Sequence, residues 1–467
     1  MRIAPIFLAL LGLGIAGTTA TDPLLDPYPS YQQIVDAFGK FTHDHPNLVQ
    51  YRSIGSSGDG LDIPAYLFSD SSAAAVKAKS LNDRPAVFFT ALTHSREPLT
   101  VITLLEAARE LVDPSAPEDV ASILKSTRVW FVPIVNPDGW SYIHKHFPTV
   151  GSDLRKNRAS TCRNDSQSGV NLGHNWGYMW DTYLGLNETV MAADYEVACA
   201  QGYHGPEPFS EKETASLRDF ILREKPKTGI FFHQRGHRGP SRIIIPYTFH
   251  PDPDSITLPP DRAVLQNLTG ALNQAVGGIF DVGSAWSLNR RTIAGSEVDW
   301  TFDQGNVFSL IVQIGLMADG YWPKSPEIAT LIRPHVQTVL TLARQTLYLP
   351  NKRAKPNKTI IRHIQNAALY APVIMGLILA MLLGLAYVVA RFLGYDNIWG
   401  RFSLMIKRLR WGDLRGGYRG LATTGGKSGD EDEDEDGDFE FEIFEGGSHI
   451  EELAAVDEED AGFSYRR

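Results

Sequence analysis

The sequence predicts an α/β fold, a largely buried sheet with helices on both faces, and three observations carry that reading. Short apolar runs recur between residues 28 and 348, helical patterns separate them, and the runs lack the polar alternation of a half-exposed sheet. The first run is Ala86 to Ala91, followed by a helical pattern from Leu99 to Val112. Arg128 to Val135 reads as the next strand, closed by a turn at Asn136-Pro137-Asp138-Gly139. Ser210 and Glu213 have the spacing of a capping box opening a helix toward Glu224. Gly229 to Phe232 and Phe308 to Ile314 complete the visible core strands.

Two further apolar segments set the topology. Residues 1–20 have the form of a secretory signal peptide, with Arg2, an apolar stretch from Ile3 to Ala16 and small residues through Ala20. Residues 367–390 carry no charge over 24 positions, enough for one transmembrane helix. The expected organisation is therefore a folded domain over 21–348, a basic stalk over 349–366, the span, and a tail over 391–467. A cleaved signal puts the domain in the lumen or outside the cell as a type I single-pass protein. Its destination is the cell surface or a vacuolar or endosomal membrane. Lys and Arg flank the span on both sides, so positive-inside alone decides little. Sequons at Asn164, Asn187, Asn267 and Asn357 agree with a glycoprotein.

The formal charge of −10 belongs to the tail, since 17 acidic residues and no Lys or Arg lie between Asp430 and Asp460. That tract repels itself and reads as a disordered, solvated tail. Without it the chain is close to neutral, which gives no argument for a nucleic-acid partner. The two cysteines, Cys162 and Cys199, both fall in the luminal part, where a disulfide is the default. They are too far apart, and too far from other ligands, to suggest a zinc site.

A hydrolytic zinc centre needs three protein ligands and an open position for water. His94-Ser95-Arg96-Glu97 offers an imidazole and a carboxylate between a strand and a helix. With 13 His and 54 acidic residues in the chain, roughly one or two such pairs arise by chance. His233 also follows an apolar strand, so three candidate ligands gather at the carboxyl ends of strands, where α/β sheets carry function.

From about Tyr28 to Tyr348 the chain resembles the zinc carboxypeptidases of the carboxypeptidase A/B type. The resemblance is carried by His94-Ser95-Arg96-Glu97-Pro98, Asn136-Pro137-Asp138-Gly139-Trp140, Leu154 to Arg158 and Gly169 to Trp176. It continues through Tyr203 to Thr214 and the pair Asp299-Trp300. It implies a mixed eight-stranded sheet between helices, and Zn2+ held by His94, Glu97 and His233. It also implies action on peptide or protein C-termini, with Arg155 polarising the scissile carbonyl and Arg96 lining the substrate channel. Many members carry a disulfide where Cys162 and Cys199 fall. The mature pattern starts soon after the signal peptide, so activation by prosegment removal is not expected.

Five positions depart from the family. Its Asn-Arg clamp for the substrate carboxylate is replaced by Gly173-His174. Its flexible tyrosine, eight residues before Asp299, is Arg291. Its general-base glutamate, 14 residues after Asp299, is Gln313, in a strand without any carboxylate. Its aspartate supporting the first zinc histidine is Asn171. Glutamine cannot accept a proton from water, so the expectation is an impaired peptidase. The alternative is a pseudoenzyme, a non-catalytic zinc- or peptide-binding ectodomain in which Arg291 takes over the clamp. Glu297 and Val298 sit in an altered pocket frame, so side-chain preference is not readable.

Overall fold

The computed structural model describes residues 27–147, 153–181, 197–249, 261–289 and 291–350. The signal peptide, the span at 367–390 and the tail lie outside the described residues, as do Asn187 and Asn357. Among the described residues no helix is long and apolar enough to cross a membrane.

The described residues form one eight-stranded sheet in the order β1-β2-β4-β3-β5-β8-β6-β7. The strands are β1 (Val49–Ser56), β2 (Asp62–Phe68), β3 (Ala86–Thr90), β4 (Arg128–Val132), β5 (Thr228–Arg238), β6 (Ser241–Ile244), β7 (Phe280–Gly283) and β8 (Phe308–Leu316). The centre is parallel, β4-β3-β5-β8, and β1-β2, β2-β4 and β6-β8 pair antiparallel. The expected mixed eight-stranded sheet is present.

Strand alternation divides the core into two layers. Val87, Phe89, Phe131, Ile230, Phe232 and Val312 point to one face and pack under the helices Tyr31–Asp44, Pro98–Val112, Arg262–Ala275 and Ser325–Gln345. Phe88, Trp130, Val132, Phe231 and Ile311 point to the other, under the helices Lys212–Glu224 and Glu297–Asp303. Every residue of β3 is buried, which is why its sequence is apolar from Ala86 to Phe89.

Three local readings need correction. Asn136-Pro137-Asp138-Gly139 is not a free turn: Asn136 caps the helix Pro137–His146, accepting from the Gly139 N–H at 3.0 Å, with Pro137 in the first turn. No capping box forms at Ser210, because Glu211 is the N-cap of Lys212–Glu224 and makes no side-chain cap bond. Ser210 instead accepts from Asn175 Nδ2 at 2.9 Å, and Glu213 accepts from the Gly58 N–H at 3.1 Å. Finally, β5 does not stop before His233 but runs on to Arg238, with irregular pairing to β8 beyond Gln234.

Candidate metal centre

β3, β5 and β8 run parallel, so their carboxyl ends share one edge of the sheet, and the site is built there. The loop after β3 is fixed by a buried polar knot. Asn136 Nδ2 donates to Ser95 Oγ at 3.0 Å and to the Lys156 carbonyl at 3.1 Å. A Cβ on Gly139 would lie 2.0 Å from Ser95 Oγ, so only glycine lets the helix approach this closely. Thr100 Oγ1 donates to the Glu97 carbonyl at 2.6 Å and accepts from the Leu92 N–H at 3.1 Å, pinning the loop to the helix Pro98–Val112.

Glu97 occupies that helix's N-cap but makes no side-chain cap bond. Its carboxylate faces two imidazoles instead: Oε1 lies 2.8 Å from His94 Nδ1, and Oε2 lies 2.9 Å from His233 Nδ1. All three side chains are buried, and their ligand atoms lie within 4.8 Å of one another. Two imidazole nitrogens and a carboxylate oxygen are the donor set of a catalytic-type zinc site. Both rings turn Nδ1 toward the cluster, and their Nε2 atoms are held from outside. His94 Nε2 lies 3.0 Å from Asn171 Oδ1, and His233 Nε2 lies 2.6 Å from Glu297 Oε1. Outer partners of this kind fix the tautomer with Nε2 protonated and Nδ1 free for a metal. The residues therefore fit a zinc ion.

Charge is distributed unevenly over the cluster. Burial would raise the Glu97 carboxyl, but His94 and His233 outweigh it and hold it well below the usual range. Burial pushes His94 down to about 4, opposed by Glu97 and reinforced by Arg155. Burial also disfavours the charged form of His233, yet Glu97 and Glu297 on either side of the ring push it up to about 10. The second carboxylate is what separates the two histidines.

Arg155 is buried at the mouth of the cluster, its Nε 3.3 Å from His94 Nε2. In the metal-binding tautomer that nitrogen carries a proton, so this is a close approach of two donors, not a hydrogen bond. Arg96 is buried with its guanidinium 4.4 Å from the Tyr321 ring centroid. Gln313 lies directly beside His233 in the β5–β8 ladder. It is the one residue of β8 that is not fully buried. His174 ends a short 3-10 turn, Leu172–His174, whose first cap is Asn171. Arg291 is half-buried in the segment leading to the helix Glu297–Asp303. Cys162 and Cys199 form a disulfide.

The zinc carboxypeptidase family model matches residues 34–338. The chain belongs to the zinc carboxypeptidase family. It is 27% identical over 284 residues to carboxypeptidase B of Astacus astacus, covering 60% of this chain and 83% of that protein. It is 26% identical over 295 residues to carboxypeptidase A2 of Rattus norvegicus, covering 62% of this chain and 63% of that protein. The chain thus spans less than two thirds of the length of that second relative. Among solved structures, carboxypeptidase A of Helicoverpa armigera superposes with a TM-score of 0.58 at 20% identity, covering 70% of this chain and 75% of the other. That likeness bears on the fold. In this carboxypeptidase-family domain sequence reasoning placed Glu297 in the pocket frame but missed its contact with His233. Glu297 opens a helix, a place where a glutamate reads as a complement to the helix dipole.

Proposed function

We propose that this chain is a membrane-anchored zinc metallocarboxypeptidase-family protein that engages the C-termini of peptides or proteins, with hydrolysis impaired at the proton-transfer step. The observation that carries the reading is the β5–β8 register, which pairs His233 with Gln313 on a strand that contains no carboxylate. His94, Glu97 and His233 are the residues proposed to hold zinc. When bound there, zinc supplies Lewis acidity toward the scissile carbonyl and lowers the pKa of its water to about 7.

Arg155, always protonated, is assigned to hold the oxyanion as it develops. Gln313 can orient a water by hydrogen bonding, but its amide cannot take the proton that attack releases. General acid–base assistance is worth about 10²–10⁴ in rate, or roughly 3–5 kcal/mol, and that is the expected deficit. Arg96, His174 and Arg291 are assigned to substrate binding. The second reading is a non-catalytic ectodomain that binds zinc and peptide C-termini, favoured by Gln313 and by His174 where a clamping guanidinium is needed. The signal peptide, the single span at 367–390 and the secretory-pathway destination rest on sequence alone.

One paired measurement tests the proposal: bound zinc and release of C-terminal residues by the purified domain, beside Gln313→Glu. Zinc in both, with turnover confined to or strongly raised in the variant, is the expected result. Robust turnover by the unaltered protein would overturn it.

A further inference from the structure

We propose that Glu297 is a positioning residue that supports the metal centre through His233, supplying from this side of the site the carboxylate that Asn171 does not supply to His94. The inference rests on the metal reading above. Glu297 belongs to the helix Glu297–Asp303 and comes 64 residues after His233 in the chain, yet its Oε1 lies 2.6 Å from His233 Nε2. It is 1% exposed, and its Oε2 has no hydrogen-bond partner among the described residues.

A buried carboxylate with one oxygen unpaired is costly unless positive charge compensates it. His233 is that compensation, joined by the cation that His94, Glu97 and His233 would hold. The geometry also limits what Glu297 can do. Its contact is on Nε2 while Glu97 meets Nδ1 at 2.9 Å, so the ring stands between Glu297 and the metal position. It cannot share a metal-held water in this arrangement and does not replace the missing general base.

What it can do is hold the imidazole in the Nε2-protonated tautomer and raise its basicity as a ligand. The equivalent contact on His94 is made by a neutral amide. Asn171 Oδ1 lies 3.0 Å from His94 Nε2 and also accepts from the Gly173 N–H at 3.1 Å, which fixes the oxygen toward the ring. One histidine is oriented without charge, the other with it.

The test is zinc affinity by competition with a chromophoric chelator, for the unaltered domain, Glu297→Gln, and Glu297→Gln combined with Asn171→Asp. Thermal melting of each zinc-free protein is measured beside it. Glu297→Gln is expected to weaken zinc binding about 10–100-fold. The zinc-free melting temperature separates a loss of zinc affinity from a loss of fold. Adding Asn171→Asp is expected to recover much of the loss. Zinc affinity within about twofold of the unaltered protein in Glu297→Gln would overturn the inference, as would no recovery in the double variant. An unaltered protein that binds no zinc would instead sink the metal reading, and this inference with it.

Discussion

Neutralising Glu213 is expected to change how the stability of the domain depends on pH. Glu213 is 1% exposed in the first turn of Lys212–Glu224, beneath the loop that carries Gly58. Burial pushes its carboxyl from an ordinary 4.5 up to about 7; its own backbone N–H and that of Gly58 pull the other way, and Asp138 and Glu211 add to the rise. Between those values the folded protein holds a proton that the unfolded chain has released, so stability falls as pH rises. The slope is about 1.4 kcal/mol per pH unit, and the total comes to about 3 kcal/mol by pH 8. Glu213→Gln keeps the shape and the oxygen facing Gly58 but does not titrate. The two proteins should therefore be nearly equal near pH 4.5, with the variant more stable by up to ~3 kcal/mol at pH 8. Asp299, also raised to about 7 by burial, and the metal site contribute equally to both proteins and cancel in the difference. Urea unfolding at half-unit intervals from pH 4.5 to 8 measures it. A difference that stays flat over this range would refute the argument.

Two further perturbations have magnitudes that follow from the structure. Replacing Cys162 and Cys199 with serine opens a loop of sequence separation 37. It should cost about 4 kcal/mol by loop-closure entropy, read from denaturation against the oxidised parent, and a loss below ~1 kcal/mol would count against that model. Gly229→Ala puts a Cβ 2.0 Å from a ring carbon of buried Phe88 in the middle of the sheet. It should lower the urea midpoint by the equivalent of about 1–3 kcal/mol or more, and an unchanged midpoint would mean that the strand shifts freely.

The strands legible in the sequence are those buried on both faces, β3, β4, β5 and β8, because a continuous apolar run needs no partner to be recognised. β1 is mostly exposed and reads Val-Gln-Tyr-Arg-Ser-Ile-Gly-Ser, while β6 and β7 span only four residues each, so neither periodicity nor length marks them. Ser210 failed as a cap because a tertiary partner, Asn175, takes its hydroxyl, and Gly58 takes Glu213. Asn-Pro-Asp-Gly is ambiguous by nature, since a capping asparagine followed by proline opens a helix as readily as it makes a turn. His94 and Glu97 were visible as a local pair. The contact between Glu297 and His233 was not, because it joins two elements remote in sequence, and no local pattern encodes it.

The departures around the site are expected to be restorable in a definite order. With Gln313→Glu as the starting protein, kcat should be measurable and limited no longer by proton acceptance. KM should remain high, because a His174 imidazole cannot make the bidentate, charge-assisted pair that a guanidinium makes with a carboxylate. Adding His174→Arg supplies a guanidinium for the substrate carboxylate. A charge-assisted hydrogen bond is worth about 1.5–3 kcal/mol, so KM should fall about 10–100-fold with kcat little changed. Gly173→Asn, the other half of the family clamp, should behave differently. Its Cβ would lie 3.3 Å from His94 Nε2 and 3.5 Å from Asn171 Oδ1, pressing on the contact that orients a metal histidine. That substitution is expected to weaken zinc binding before it improves substrate binding, an outcome that zinc titration and steady-state kinetics separate. If His174→Arg instead raised kcat and left KM unchanged, position 174 would not be the carboxylate clamp. Arg291 and Arg96 would then be the guanidinium groups to test for that role.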